Sequence, residues 1–160
     1  MDKKQQVEKL TNYMANFVDY IGKVLPDDII AKLDELAEKE DSPLSKVIYQ
    51  TMKKNQGLAK ELNRPSCQDT GVLQFWVKCG TNFPLIGELE ALLKEAVVKA
   101  TFQAPLRHNS VETFDEYNTG KNVGKGTPTV FWDIVPDSDQ CEIYSYMAGG
   151  GCTLPGKAMV

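Results

Sequence analysis

The hydrophobic pattern of the chain changes at Pro65, and this change limits the folds that the sequence can adopt. Before Pro65, apolar residues recur at steps of three and four, the spacing of amphipathic helices. After it, residues 72–79 form a short aromatic and β-branched run that is typical of a strand. We therefore predict an α+β fold, in which N-terminal helices are followed by a mixed region with a small, largely antiparallel sheet.

Three helices are predicted before Pro65, and each has a start or stop signal. The first ends near Gly22, the second begins after Pro26 with two acidic residues, and the third begins at Ser42-Pro43. We expect their apolar stripes to lie in the core. These stripes are Val7, Leu10, Met14, Phe17, Val18 and Ile21, then Ile29, Ile30, Leu33, Leu36 and Ala37, then Val47, Ile48, Met52, Leu58 and Leu62.

The remainder of the chain is predicted to hold a fourth helix over 85–101 and two further strands, 129–135 and 141–147. Since only residues 136–140 separate these strands, we expect them to form a hairpin. Residues 102–127 lack apolar periodicity, and loops of that length tend to be functional or disordered. With 160 residues, we expect a single domain, helical over 1–63 and mixed α/β over 64–160.

Composition excludes several classes of protein. The formal net charge is −4 and no basic run is present, so nothing predicts binding to nucleic acid. No apolar stretch approaches the length of a membrane span or a secretion signal, and we expect a cytoplasmic protein. The four cysteines, Cys67, Cys79, Cys141 and Cys152, lack the two-residue spacing of zinc knuckles and thioredoxin-like motifs.

Three polar segments are candidates for a functional site. Cys67, Gln68 and Asp69 are consecutive in a short loop, where a thiol that prefers burial is unusual, although a half-buried structural cysteine is the alternative. Arg107 could bind a carboxylate through two parallel hydrogen bonds, or it could be an ordinary surface arginine. The glycine run 149–151 could expose backbone N–H groups to a ligand or form a plain turn. His108, the one histidine, is interpreted as structural.

Four motifs carry a resemblance to a known family. They are Cys-Gln-Asp-Thr-Gly at 67–71, Leu-Arg-His-Asn at 106–109, Phe-Asp-Glu-Tyr-Asn-Thr-Gly-Lys-Asn at 114–122 and Met-Ala-Gly-Gly-Gly-Cys-Thr-Leu-Pro-Gly at 147–156. In this order they resemble the iron–sulfur hydro-lyases of the class I fumarase and tartrate dehydratase family. The resemblance runs through nearly the whole chain and is more specific than any one motif.

The resemblance implies a hydro-lyase that dehydrates a small hydroxy-dicarboxylate, L(+)-tartrate giving oxaloacetate and water, with fumarate or malate as an alternative substrate. It implies a 4Fe-4S cluster that acts as a Lewis acid. By the same resemblance Cys67 is a cluster ligand, and Gln68 and Asp69 face the substrate. Asp69 is also a candidate proton-transfer group, and Arg107 and the backbone near Gly150 hold substrate carboxylates.

The chain departs from the family at its end. The two other cluster cysteines of the family lie beyond the region that resembles this chain, and Cys79, Cys141 and Cys152 do not match them. We therefore expect the N-terminal part of an alpha subunit, with the C-terminal part and a beta subunit as partners in an oligomer. The alternative is a non-catalytic, truncated remnant that binds a partner without a cluster.

Overall fold

A computed structural model of the chain describes residues 2–112 and 114–150, and it confirms the α+β class. Three helices come first: α1 (Lys3–Lys23), α2 (Asp27–Lys39) and α3 (Pro43–Glu61). They are followed by β1 (Val72–Gly80), α4 (Leu89–Gln103), β2 (Thr129–Val135) and β3 (Cys141–Ala148). Among the described residues, no helix is long and apolar enough to cross a membrane.

α2 and α3 begin where the sequence signals predict, and α1 has an N-terminal cap that was not predicted. The Asp2 side chain accepts a hydrogen bond from the Gln5 N–H, and the Gln5 side chain accepts one from the Asp2 N–H, which completes a capping box on α1. The Ser42 side chain caps α3, and Pro43 occupies the first turn, where its missing N–H costs nothing. α4 begins four residues later than predicted, because Leu85 to Glu88 form turns.

The strands form a three-stranded mixed sheet in the order β2-β1-β3. β1 pairs with β3 in antiparallel register, from Val72 opposite Ala148 to Cys79 opposite Cys141. It pairs with β2 in parallel register, from Gln74 beside Thr129 to Gly80 beside Val135. Parallel neighbours require a crossover connection, and α4 with the long loop after it supplies one. The sheet thus has one antiparallel and one parallel pair.

The predicted hairpin between β2 and β3 is wrong, because β1 lies between these two strands. The segment 136–140 instead crosses the end of β1. The Gly80 N–H donates to the Gln140 carbonyl at 2.8 Å, and the Asn82 N–H donates to the Ser138 carbonyl at 2.9 Å. A side chain on Gly80 would collide with the Ser138 backbone. Glycine at this position therefore lets five residues pass closely over the strand end.

The core lies where α1 and α4 cover one face of β1. Its buried residues include Val18 from α1 and Phe75 and Val77 from β1, each at most 1% exposed. α4 contributes the largest share, because its apolar residues occur all around the helix. The buried members from α4 are Leu89, Leu92, Leu93, Ala96, Val97 and Ala100. The core prediction is confirmed for Met14 and Val18 of α1, which are buried, and it is wrong for Phe17, which is 37% exposed.

The same prediction is wrong for α2 and α3. α2 has no buried residue, and α3 buries only Ala59. The apolar residues that remain exposed on these two helices and at the C-cap of α3 are Ile29, Leu36, Leu44, Val47, Ile48, Met52, Leu58 and Leu62. We call this set the α2–α3 apolar surface. Helical periodicity identifies an amphipathic helix, but it does not reveal what covers the apolar side.

Candidate functional site

The loop between α3 and β1 is held at both sides by the helical part of the molecule. The Ser66 N–H donates to the carbonyl of Gly22 at 2.9 Å, near the end of α1. The Asn55 side chain on α3 donates to the Ser66 carbonyl at 2.6 Å. Buried Lys23 bonds Asp19 on its own helix and the Asn63 side chain at 2.6 Å. These bonds fix the backbone directly before Cys67.

Cys67 and Gln68 lie at the exposed tip of this loop. The Cys67 thiol points to the Gln68 side-chain oxygen, with Sγ and Oε1 3.8 Å apart. An exposed thiol can bind a metal or react as a nucleophile, whereas a cysteine that only fills space in the core is buried. The structure therefore does not support the alternative of a half-buried structural cysteine at this position.

Asp69 links the loop to the glycine run after β3. Its Oδ2 accepts a hydrogen bond from the Gly150 N–H at 2.8 Å, and its Oδ1 accepts one from the Gly71 N–H at 3.2 Å. A Cβ atom on Gly149 or Gly150 would lie 3.4 Å from atoms of Asp69. Glycine at these positions therefore allows the backbone to approach the carboxylate closely.

Arg107 is joined to the same loop through its backbone. Its N–H donates to the hydroxyl of buried Thr70 at 3.1 Å, and its carbonyl accepts a bond from the Asn122 side chain at 2.9 Å. The Arg107 side chain is exposed. Within residues 2–112 and 114–150, no carboxylate forms an ion pair with its guanidinium. The group is thus available to a carboxylate ligand.

The structure brings the three predicted segments together. Asp69 and Thr70 in the loop contact Gly150 on one side and Arg107 on the other. Gly151 and Cys152, which belong to the predicted glycine motif, lie outside the described residues. His108 is exposed, with its ring edge-on to Phe102 at a centroid distance of 6.5 Å.

Sequence reasoning missed three residues that hold this arrangement. Thr70 anchors Arg107, and Asn109 donates from its side chain to the Gly71 carbonyl at 2.9 Å. Asn122, which is 6% exposed, accepts from the Asn109 N–H at 2.7 Å and donates to Arg107 and to the Thr101 hydroxyl. All three occur in motifs that carry the family resemblance. Their bonds and their burial exist only in the folded chain, so the residue types alone give no signal for these roles.

The donor atoms fit one ligand of an iron–sulfur cluster. The exposed Cys67 thiol is a soft donor suited to iron in such a cluster. Cys79 is buried and Cys141 half-buried at the opposite end of β1. Among the described residues, no group of three or more His, Cys, Asp or Glu side chains could hold a metal ion. The described part of the chain therefore supplies one candidate ligand, and a complete ligand set requires others.

Comparison with known proteins identifies the family of the chain. The sequence model of the fumarate hydratase (Fumerase) family matches residues 11–160. The chain belongs to this family. The match includes the Cys67 loop, Arg107 and the glycine run, the three segments that the structure brings together.

Relatives with curated names are similar to the chain over nearly its whole length. It is 57% identical over 159 residues to the L(+)-tartrate dehydratase subunit alpha of Escherichia coli (strain K12) and to that of Escherichia coli O157:H7. The same identity is found with the protein of that name from Shigella sonnei. Each alignment covers 99% of this chain and 52% of the relative. The chain thus spans about half the length of the curated relatives it matches.

Proposed function

We propose that this chain is part of the alpha subunit of a hydro-lyase that dehydrates L(+)-tartrate to oxaloacetate and water. The observation that carries the proposal is the loop between α3 and β1. Cys67 and Gln68 are exposed at its tip. The next two residues, Asp69 and Thr70, accept hydrogen bonds from the backbone N–H groups of Gly150 and Arg107. The identity of 57% to proteins named L(+)-tartrate dehydratase subunit alpha supports the choice of substrate.

Cys67 is the proposed cluster ligand of this chain. Its thiol is exposed at the tip of a loop whose backbone is fixed by bonds to Gly22 and Asn55, so a thiolate there has a defined position. A bound 4Fe-4S cluster would supply a Lewis acid for the departing hydroxyl of the substrate. We propose that two further cysteine ligands come from the C-terminal part of the alpha subunit.

Arg107 and Gln68 are the proposed substrate-binding side chains. A guanidinium grips a carboxylate through two parallel N–H donors, and the Arg107 backbone is held from both sides by Thr70 and Asn122. This support fixes the backbone from which the side chain extends, so less ordering of the loop is needed when a dicarboxylate binds. Gln68 provides an amide beside Cys67 that can bond to a substrate oxygen.

Asp69 is the proposed proton-transfer group. Two N–H donors fix its orientation, which a general base requires so that it can reach the proton on the carbon next to the departing hydroxyl. Gly150 was expected to hold a substrate carboxylate. Because its N–H is bonded to Asp69, we propose that its main contribution is to orient this carboxylate.

The proposed enzyme includes polypeptide that this chain does not contain. The relatives are named subunit alpha, and this chain spans about half of each. We propose that the C-terminal part of an alpha subunit and a beta subunit complete the site, in an oligomer located in the cytoplasm.

The test combines cofactor analysis with turnover. The chain is purified without oxygen, alone and after co-expression with the missing alpha portion and a beta subunit, and iron and acid-labile sulfide are measured. We expect a 4Fe-4S cluster and release of oxaloacetate from L(+)-tartrate only in the complete assembly. An assembly that forms but holds no iron would contradict the cluster. A loaded assembly that turns over fumarate or malate and leaves tartrate unchanged would contradict the substrate.

One observation favours a second candidate function. The described residues offer only one exposed thiol and no three-residue metal site, while the α2–α3 apolar surface is uncovered. A non-catalytic module that binds a partner through this surface would have these properties. In that case the chain would join the partner chains without changing their iron content or activity.

A further inference from the structure

A second pair of thiols lies away from the proposed site. Cys79 on β1 and Cys141 on β3 are direct partners in the antiparallel ladder. Cys79 is 0% exposed, Cys141 is half-buried, and neither is in a disulfide. The proposed hydro-lyase chemistry uses neither residue, and Cys79 is bonded only weakly, to the Gly80 carbonyl at 3.6 Å.

The hydrogen-bond pattern defines the geometry of this pair. The next pair along the ladder, Gly80 and Gln140, is joined by an N–H to carbonyl bond of 2.8 Å. Because the two kinds of pair alternate in an antiparallel ladder, Cys79 and Cys141 form a non-hydrogen-bonded pair. The Cα atoms of such pairs are about 4.5 Å apart and their side chains are close. This separation falls within the range of roughly 4.4–6.8 Å that disulfides require.

Cys141 is affected by its burial and by the neighbouring Cys79. Burial raises the pKa of the Cys141 thiol to about 12, and the Cys79 side chain is the second cause. Two thiols that lie opposite each other on one face of a sheet need little backbone movement to become linked.

We propose that Cys79 and Cys141 are a dithiol modification site, at which a low-molecular-weight disulfide closes a covalent link between β1 and β3. Cys141 is the residue that meets the reagent, because Cys79 is fully buried. Cys141 reacts through the small fraction of its thiol that is deprotonated, because its pKa is raised; this thiolate attacks one sulfur of oxidised glutathione and expels one glutathione thiolate. The Cys79 thiolate then attacks the Cys141 sulfur and expels the second. The two protons released by the cysteines are taken up by the two glutathione thiolates, so the protein is oxidised and glutathione is reduced.

The link would stabilise the scaffold that supports the proposed site. It closes a loop from residue 79 to residue 141, which contains α4, Arg107 and Asn122. Cross-links that close long loops constrain the unfolded chain most. The opposite end of the same ladder, Val72 opposite Ala148, lies next to the bond between Asp69 and Gly150.

The experiment uses the full chain with Cys67→Ser and Cys152→Ser, so that Cys79 and Cys141 are the remaining thiols. The protein is equilibrated in buffers of increasing ratio of oxidised to reduced glutathione and digested without reduction. Mass spectrometry should find a peptide pair linked through Cys79 and Cys141, with the loss of two hydrogens. We expect Tm to be higher in the oxidised protein by about 5–10 °C.

The matched control adds Cys141→Ala to this background, and neither the link nor the shift in Tm should occur. Glutathione adducts without the linked peptides would overturn the proposal. Two free thiols persisting at equilibrium in the most oxidising buffer would also overturn it, and this readout does not depend on how stable the control variant is.

Discussion

Asp69 and Gly150 are 81 residues apart in the sequence, yet the Asp69 Oδ2 accepts a hydrogen bond of 2.8 Å from the Gly150 N–H. Asp69 lies before the start of β1, and Gly150 follows the end of β3. The antiparallel register, with Val72 opposite Ala148, brings these two strand ends together. The sheet therefore does more than build a core, because its pairing assembles the site.

Gly71 is a position where this assembly does not accommodate a side chain. Its φ is +79°, and a Cβ atom there would lie 2.5 Å from the carbonyl carbon of Ala148. We expect Gly71→Ala to lower the free energy of unfolding by about 2–4 kcal/mol, through left-handed backbone strain and the backbone collision.

The matched control is Gly87→Ala. Gly87 is exposed, and a Cβ atom there would meet nothing within 4 Å. Its substitution should change the stability by less than about 0.5 kcal/mol. Denaturant unfolding of both variants gives the comparison, and equal stability of the two would contradict the collision at Gly71.

Asn122 should be needed for the position of Arg107. Its side chain donates to the Arg107 carbonyl and the Thr101 hydroxyl, and accepts from the Asn109 N–H. In Asn122→Asp the side-chain oxygen that accepts from the Asn109 N–H is kept, and aspartate also tolerates the φ of +54° at this position. The side-chain NH2 group is replaced by an oxygen, which then faces the Arg107 carbonyl. We expect a loss of about 2–4 kcal/mol in the free energy of unfolding, because a buried acceptor is left unpaired beside a charge.

The control for this variant is Asn82→Asp, at an exposed turn after β1. It should leave unfolding by denaturant nearly unchanged. If the two variants unfold at the same denaturant concentration, the network around Asn122 is not important for stability.

The sequence predicts which segments form helices and strands better than it predicts which of these elements lie next to each other in the fold. The cap at Ser42 and the strand at Val72 involve local interactions, so local patterns identify them. The place of β1 between β2 and β3 depends on contacts far apart in the chain. A five-residue connection is compatible both with a hairpin and with a crossing over the end of another strand.

The site shows the same division. Cys67, Asp69, Arg107 and Gly150 could be predicted from residue chemistry and from the family resemblance. Asn122 could not, because its role depends on a left-handed backbone and on partners 13 and 15 residues away in the sequence. The exposure of α2 and α3 was also not predictable, since an amphipathic stripe has the same spacing whether or not another surface covers it.

The α2–α3 apolar surface should promote self-association of the chain. Exposed apolar patches of this kind tend to be covered in solution, and Val47 and Ile48 are 56% and 53% exposed. We expect a dimer or larger species in sedimentation velocity. Ile48→Glu should shift the distribution toward monomer, whereas Asn82→Glu, with the same added charge at an exposed turn, should not. A monomer at every concentration would contradict this expectation.

Arg107→Lys should keep the iron of the complete assembly and weaken its handling of substrate. A lysine carries the charge but lacks the planar pair of donors. Loss of a charge-assisted hydrogen bond costs about 1.5–3 kcal/mol, which lowers kcat/KM roughly tenfold to a hundredfold. Steady-state kinetics and iron analysis of the same preparation check this. Kinetics equal to the unsubstituted enzyme would remove Arg107 from the site.

Cys67→Ser and Asp69→Asn should separate cofactor binding from proton transfer in the complete assembly. Cys67→Ser should lose both iron and activity, because a hydroxyl is a much poorer ligand for cluster iron than a thiolate. Asp69→Asn should retain iron and lose mainly kcat, since an amide cannot accept the substrate proton. Iron content, kcat and KM are measured for both variants, with Tm as a check on folding. A full cluster in Cys67→Ser, or an unchanged kcat in Asp69→Asn, would show that the role assigned to that residue is wrong.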